Sequence, residues 1–171
     1  MRWPVTLYLV CLLTLMSGCT SAPKGIAPVE GFELSRYLGT WHEVARLDHG
    51  FERGLSRVSA EYRLRSDGGV SVTNRGFDAQ SQTWKKAEGK AYFVESPDIG
   101  HLKVSFFGPF YGAYVIYRLD EDYNYAFVTS YNRDYLWLLA RTPEVDESVR
   151  LAFITQAQNM GFDTQALIWA R

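Results

Sequence analysis

Three histidines, two cysteines and 19 carboxylates are the residues of this 171-residue chain whose types suit metal or nucleophilic chemistry. Their spacing argues against most of it. His42, His49 and His101 stand without cysteine or carboxylate partners at metal-ligand spacing, so no metal site is expected. Gly-x-Ser-x-Gly does not occur, which removes the strained serine turn of an esterase. Asp120, Glu121 and Asp122 cluster beside Tyr123 and Asn124 and read as a solvated hairpin turn. The thiols remain: Cys11 lies inside an apolar run, and Cys19 follows Met16, Ser17 and Gly18. Cleavage before Cys19 would leave one cysteine, with no internal disulfide and no second thiol. That thiol suits attachment rather than catalysis, so the chain is read as a non-enzyme that needs no cofactor.

The surroundings of Cys19 say what would be attached. Residues 5–16 form a nearly uninterrupted apolar run of twelve behind Arg2. A span of the bilayer core needs about 20 residues, but a run of this length fits a secretory signal. Residues 16–19 resemble the bacterial lipobox, in which the cysteine is diacylated and becomes the new N-terminus. Residues 1–18 are therefore expected as a signal peptide and Cys19 as the lipidation site. Residues 19–31 are small, polar and proline-bearing and read as a flexible tether. Each buried CH₂ contributes about 0.8 kcal/mol, so two or three acyl chains hold a protein firmly to a membrane. Thr20 follows the cysteine where lipoproteins retained at the inner membrane often have Asp, so the resemblance implies the outer membrane, on its periplasmic side.

The remaining residues must form the body. A net charge of −1, 47% hydrophobic and 22% charged residues exclude a disordered chain and supply no basic excess for nucleic acid. Only one long apolar run exists, which excludes a polytopic membrane protein. Aromatics reach 15%, and aromatics favour strands. Alternating segments recur at 39–48, 57–64, 70–76, 84–94, 101–107, 113–119, 125–130 and 135–141, with turn signals between them. The last of these is apolar on both faces, which demands cover on both sides. A helix over 147–160, capped by Asp146 and stopped by Gly161, can supply it, with Val149, Ala152, Phe153 and Gln156 as its stripe. A short ninth strand is expected over 166–170. Eight hairpin-linked strands favour a closed up-and-down barrel, which removes exposed edges and encloses room for one small ligand. The fold class is thus all-β, an eight-stranded antiparallel barrel with one C-terminal helix packed outside.

From Gly39-Thr40-Trp41 onward the chain resembles the lipocalins, in particular the bacterial branch related to apolipoprotein D. Residues 37–48 resemble the family's opening block, Asp134-Tyr135 the second block, and Arg141 the basic residue of the third. Residues 106–112, very apolar for a strand connection, resemble the bacterial branch. The resemblance implies a lipocalin domain over residues 32–171. Gly39, Trp41 and Arg141 then close the barrel, with the guanidinium over the indole face, while the ligand sits elsewhere. Inward parity names the lining as Val58, Ala60, Tyr62, Phe93, Leu102, Val104, Phe106, Val115, Tyr117, Val128, Tyr135 and Trp137, with Tyr117 and Trp137 the foremost ligand contacts. Small inward residues such as Gly89 should leave space, and His101 falls on the outer surface. The resemblance further implies a fatty acid or lysophospholipid ligand, for storage or transport at the cell envelope. Two other readings stay open: a structural lipoprotein with a filled barrel, and a binder of haem or another hydrophobic cofactor. Residues 106–112 read either as a covered hairpin or as a lip that touches membrane or a second copy, so a homodimer also stays open.

Overall fold

A computed structural model describes residues 20–170. The signal segment and Cys19 lie outside the described residues. After a short helix α1 (Leu34–Tyr37) come β1 (Gly39–Arg46), β2 (Leu55–Leu64), β3 (Val70–Asp78), β4 (Thr83–Phe93), β5 (His101–Phe107), β6 (Phe110–Leu119), β7 (Tyr125–Thr129) and β8 (Leu136–Ala140). Helix α2 (Glu147–Asn159), a 3₁₀ turn (Thr164–Ala166) and β9 (Ile168–Trp169) complete the chain. Each of the eight strands pairs antiparallel with the next, and β1 pairs with both β2 and β8, which closes the barrel.

Strand alternation sorts the apolar residues into two cores. The inner core fills the barrel from Phe32, Tyr37 and Trp41 to Val72, Leu102, Val128 and Leu139. The outer core lies between the barrel wall and α2, where Phe153 and Ala157 meet Val44, Leu136, Leu138 and Ala140. Strand β8 serves both, because Trp137 and Leu139 belong inside while Leu136 and Leu138 belong outside. Asp146 starts α2 through its carbonyl, which accepts from the amides of Val149 and Arg150, and its side chain makes no cap.

Four irregularities shift the alternation by one residue, one of them in β5, where the register with β6 slips between Val104 and Phe107. In β1 the register with β8 slips between Glu43 and Ala45, so Ala45 turns to the outer core and Arg46 faces Trp137. In β2 the register slips between Ser56 and Ser59, with Arg57 at a φ of 50°. In β6 it slips between Ile116 and Arg118. One extra residue in a strand bends it and re-aims the side chains beyond.

The segment expected as a flexible tether is instead laid against the barrel. The Val29 amide donates to the Ile116 carbonyl at 2.8 Å, the Gly100 amide donates to the Val29 carbonyl at 2.9 Å, and Glu30 bridges to Ile99. Ile26 is buried in the outer core. His101 does point outward, but it is buried beneath this strap, and its Nε2 donates to the Thr20 carbonyl at 2.7 Å. A backbone whose polar groups are bonded along the wall is a docked segment rather than a leash.

Candidate functional site

The two ends of the barrel differ. At one end α1 and the turn before β7 close it. The Trp41 ring is fully buried, stacks on Tyr37 at 4.6 Å, and donates its Nε1 proton to the Tyr37 carbonyl at 2.8 Å. Arg141 lies over Trp41 with 4.0 Å from guanidinium carbon to ring centre. Its nitrogens donate to the carbonyls of Thr40, Arg36 and Tyr123 at 2.7–3.3 Å. Gly39, at φ +96°, adopts a backbone conformation that side chains rarely tolerate, right beside that guanidinium. Gly39, Trp41 and Arg141 thus form one plug, and α1 sits on it.

Above the plug, Tyr37, Tyr62 and Tyr114 make a phenol trio across the floor. Tyr114 Oη lies 2.7 Å from Tyr37 Oη and 2.9 Å from Tyr62 Oη. Burial pushes all three phenols up, so they stay protonated. Three hydroxyl protons serve two hydrogen bonds, which leaves one donor unused within the trio. Phe93 and Leu102 belong to the same floor, where Phe93 meets Phe32 edge-on at 6.0 Å.

The upper half is more open. Ala60, Val104, Phe106 and Trp137 line it and are only half-buried, whereas Val128 is fully buried. Asn74 stands between Ala60 and Ala87 with no hydrogen-bond partner on its Oδ1. Gly89 does not leave the space expected of it. A Cβ there would meet Phe106 Cδ1 at 2.8 Å, so the Phe106 ring already lies across it. Tyr135 sits at the rim, among His49, Phe51, Tyr131 and Trp137.

Three members of the expected lining are corrected. Val115 pairs with His101 and Thr129 on the outer wall, and Tyr117 belongs to the outer core, stacked on Phe162 at 6.4 Å. The inward apolar residues of β6 are Tyr114, Ile116 and Leu119. Periodicity could not settle this, because Tyr114, Val115, Ile116 and Tyr117 are apolar or aromatic at both parities. Val58 is also displaced, from the lumen to a groove beside it.

Sequence reasoning missed a buried polar cluster near the mouth. The bulge in β1 brings Arg46 inward beside Glu43, and both are about 95% buried. Arg46 Nη1 donates to Glu43 Oε1. Its Nη2 donates to the carbonyls of Glu52 and Leu55 at 3.0 and 3.2 Å. Glu52 Oε2 lies 3.0 Å from His49 Nε2 and accepts from Trp137 Nε1 at 3.2 Å. His49 therefore has the carboxylate neighbour that its sequence context was read as lacking. Among the described residues, no group of three or more His, Cys, Asp or Glu is placed to hold a metal ion. Burial, then the Glu52 charge, push the Glu43 carboxyl up to about 8. For Glu52, burial opposes ionisation, but hydrogen bonds with His49, Glu43 and Trp137 outweigh it and hold the carboxyl below its ordinary value. The proton of this carboxyl pair therefore resides on Glu43.

The strands end at the mouth in exposed rings. Phe107 and Phe110, flanking the Gly108-Pro109 turn, are 73% and 78% exposed, and Phe51 is 69% exposed. The turn between β5 and β6 is therefore an apolar lip and not a covered hairpin.

A Lipocalin-like domain model matches residues 32–171. Outer membrane lipoprotein Blc of Vibrio cholerae is 55% identical over 166 residues, which is 96% of this chain and 97% of that relative. The protein of the same name in Escherichia coli (strain K12) is 47% identical over 159 residues, 92% of this chain and 90% of the relative. Apolipoprotein D of Bos taurus is 33% identical over 150 residues, 77% of this chain and 78% of the relative.

Proposed function

The chain belongs to the lipocalin family, and from that premise we propose that it holds the acyl tail of a single-chain lipid in its upper lumen. Lipocalins bind hydrophobic ligands, so the family supports binding rather than catalysis. The chain works at the outer membrane, in common with the relatives so named. The finer reading is ours. Cys19 carries the lipid anchor, the barrel stands on the periplasmic side, and the ligand is a fatty acid or lysophospholipid in storage or transport.

One observation carries this reading. The inward wall of Ala60, Val104, Phe106 and Trp137 remains half-open above a closed aromatic floor. An acyl tail against that wall leaves water, and each Å² of apolar surface so buried contributes about 25 cal/mol. Apolar walls with a few converging polar groups are the usual composition of a small-molecule site. Here those groups are Asn74 and the unused phenol proton.

The test combines mass spectrometry of lipids extracted from the purified protein with quenching of tryptophan fluorescence by a nitroxide-labelled hexadecanoic acid. Co-purified single-chain lipid, and quenching that drops in Trp137→Ala, are expected. Absence of lipid together with equal quenching in Trp137→Ala would favour a structural lipoprotein whose lumen is full. An extracted chromophore absorbing in the visible would favour a pigment binder.

A further inference from the structure

The wall of the barrel is incomplete between β1 and β2. The two strands pair only from Gly39 to His42 against Tyr62 to Ser59. Above that point β1 takes β9 instead, with Ala45 opposite Trp169, Arg46 opposite Ile168, and the Ala170 amide donating to the Val44 carbonyl at 2.9 Å. The upper part of β2, from Leu55 to Val58, has no ladder on this side. A groove of about 460 Å³ lies between, within the roughly 300–1,000 Å³ typical of small-molecule sites. Leu55, Val58, Leu167, Ile168 and Trp169 form its walls, and Glu43 and Arg46 its floor.

The floor is unfinished in its hydrogen bonding. Both Arg46 Nη atoms are engaged, but Arg46 Nε is buried without an acceptor. The Glu43 carboxyl is engaged by Arg46 and by Glu52. Buried polar groups are almost always paired, so the Arg46 orphan on the groove floor marks a place where a ligand atom completes the set.

We propose that this groove is a second binding site, separate from the lumen, for an anionic single-chain amphiphile whose carboxylate accepts from Arg46 Nε while its tail lies along Trp169, Leu55 and Leu167. The charge of the floor favours an anion. Arg46 Nε offers a charge-assisted N–H, and Glu43, whose proton lies in its hydrogen bond to Glu52, leaves the guanidinium charge uncompensated on this side. The other charged groups nearby are already occupied. Glu52 is bonded by Trp137, His49 and Glu43, Arg57 lies over Phe77 and Trp84, and Arg150 of α2 lies over Trp169 at 4.2 Å. Above about pH 8 Glu43 ionises, compensates the Arg46 charge and repels the guest, so occupancy of the groove falls there.

Calorimetric titration with dodecanoate and with dodecanol, at pH 6.5 and pH 9.5, tests this site. Dodecanoate is expected to bind at two sites per chain at pH 6.5, and dodecanol at the lumen alone. Ala170→Trp, which fills the groove from the exposed chain end, should remove one dodecanoate and spare dodecanol. Val104→Trp, which fills the lumen, should do the reverse. Arg46→Lys, which lacks Nε, should weaken the groove site at least tenfold. At pH 9.5 the groove site should weaken in the unaltered protein. An Ala170→Trp variant that binds dodecanoate with unchanged stoichiometry and affinity would overturn the proposal. If the lumen reading fails instead, Val104→Trp changes nothing while Ala170→Trp still abolishes dodecanoate binding, so the two failures are distinguishable.

Discussion

Arg141 shows how one side chain can close a barrel. It bonds three backbone carbonyls from three segments and covers the Trp41 face. Hydrogen bonds from a charged group are individually strong, and the cation–π contact adds about 0.5–2 kcal/mol. Arg141→Ala should cost about 2–4 kcal/mol, a fall in Tm of roughly 5–15 °C by thermal denaturation. Lipid selectivity should survive, because the plug lies below the phenol floor. Lost selectivity at normal Tm would contradict that placement. Glu43 makes a pH-dependent case. Its carboxyl sits at about 8 in the folded chain against 4.5 as a free side chain, so between those values the folded state holds a proton that the unfolded state releases. Stability contributed by this group therefore falls as pH rises through that window and levels off above it. Glu43→Gln imitates the protonated form. It should be near neutral at pH 5 and increasingly stabilising towards pH 8, by several degrees in Tm. Glu52 pulls in the opposite sense, but it is present in both proteins and leaves the difference to Glu43.

At the level of strands and segments, what could be read from the sequence ended where alternation ended. β5 has the bounds expected of it, and β8, apolar on both faces, is covered on both faces as its pattern required. Tyr114 and Tyr117 exchanged roles because β6 is apolar at both parities, and a bulge after Ile116 leaves no mark in residue type. Arg46 was invisible as a buried residue for the same reason. An inward Arg is costly unless paired, and its pairing depends on a bulge that alternation does not encode. The strap was misread because composition reports small and polar residues, whereas its order comes from backbone hydrogen bonds to Ile116 and Gly100. His101→Ala removes the bond that holds Thr20. Losing about 1 kcal/mol there should raise the population of the opened strap about fivefold. Tryptic cleavage after the exposed Lys24 should then accelerate by that factor, with the barrel intact. An unchanged cleavage rate would show that Ile26, Val29 and the bond from Arg133 to the Lys24 carbonyl secure the segment without His101.

Across the whole molecule, the polar and apolar parts are arranged along the barrel axis. The closed end is sealed by α1, the Arg141 plug and the phenol trio, and the open end carries Phe51, Phe107 and Phe110 in solvent. No described helix is long and apolar enough to cross a membrane. Large exposed rings grouped at one edge mark an interaction surface. Replacing Phe107 and Phe110 by Ser should leave Tm within about 2 °C, since both are largely exposed. The same change should weaken transfer of lipid from vesicles measured by fluorescence. Equal transfer in the variant would assign the rim another role. All of this serves one central claim, that the upper lumen holds an acyl tail. A crystal structure of the protein soaked with hexadecanoate tests it most directly. Continuous tail density along Ala60, Val104, Phe106 and Trp137, ending above Tyr114, is the predicted result. Side chains packed across that space, with no tail between them, would contradict it.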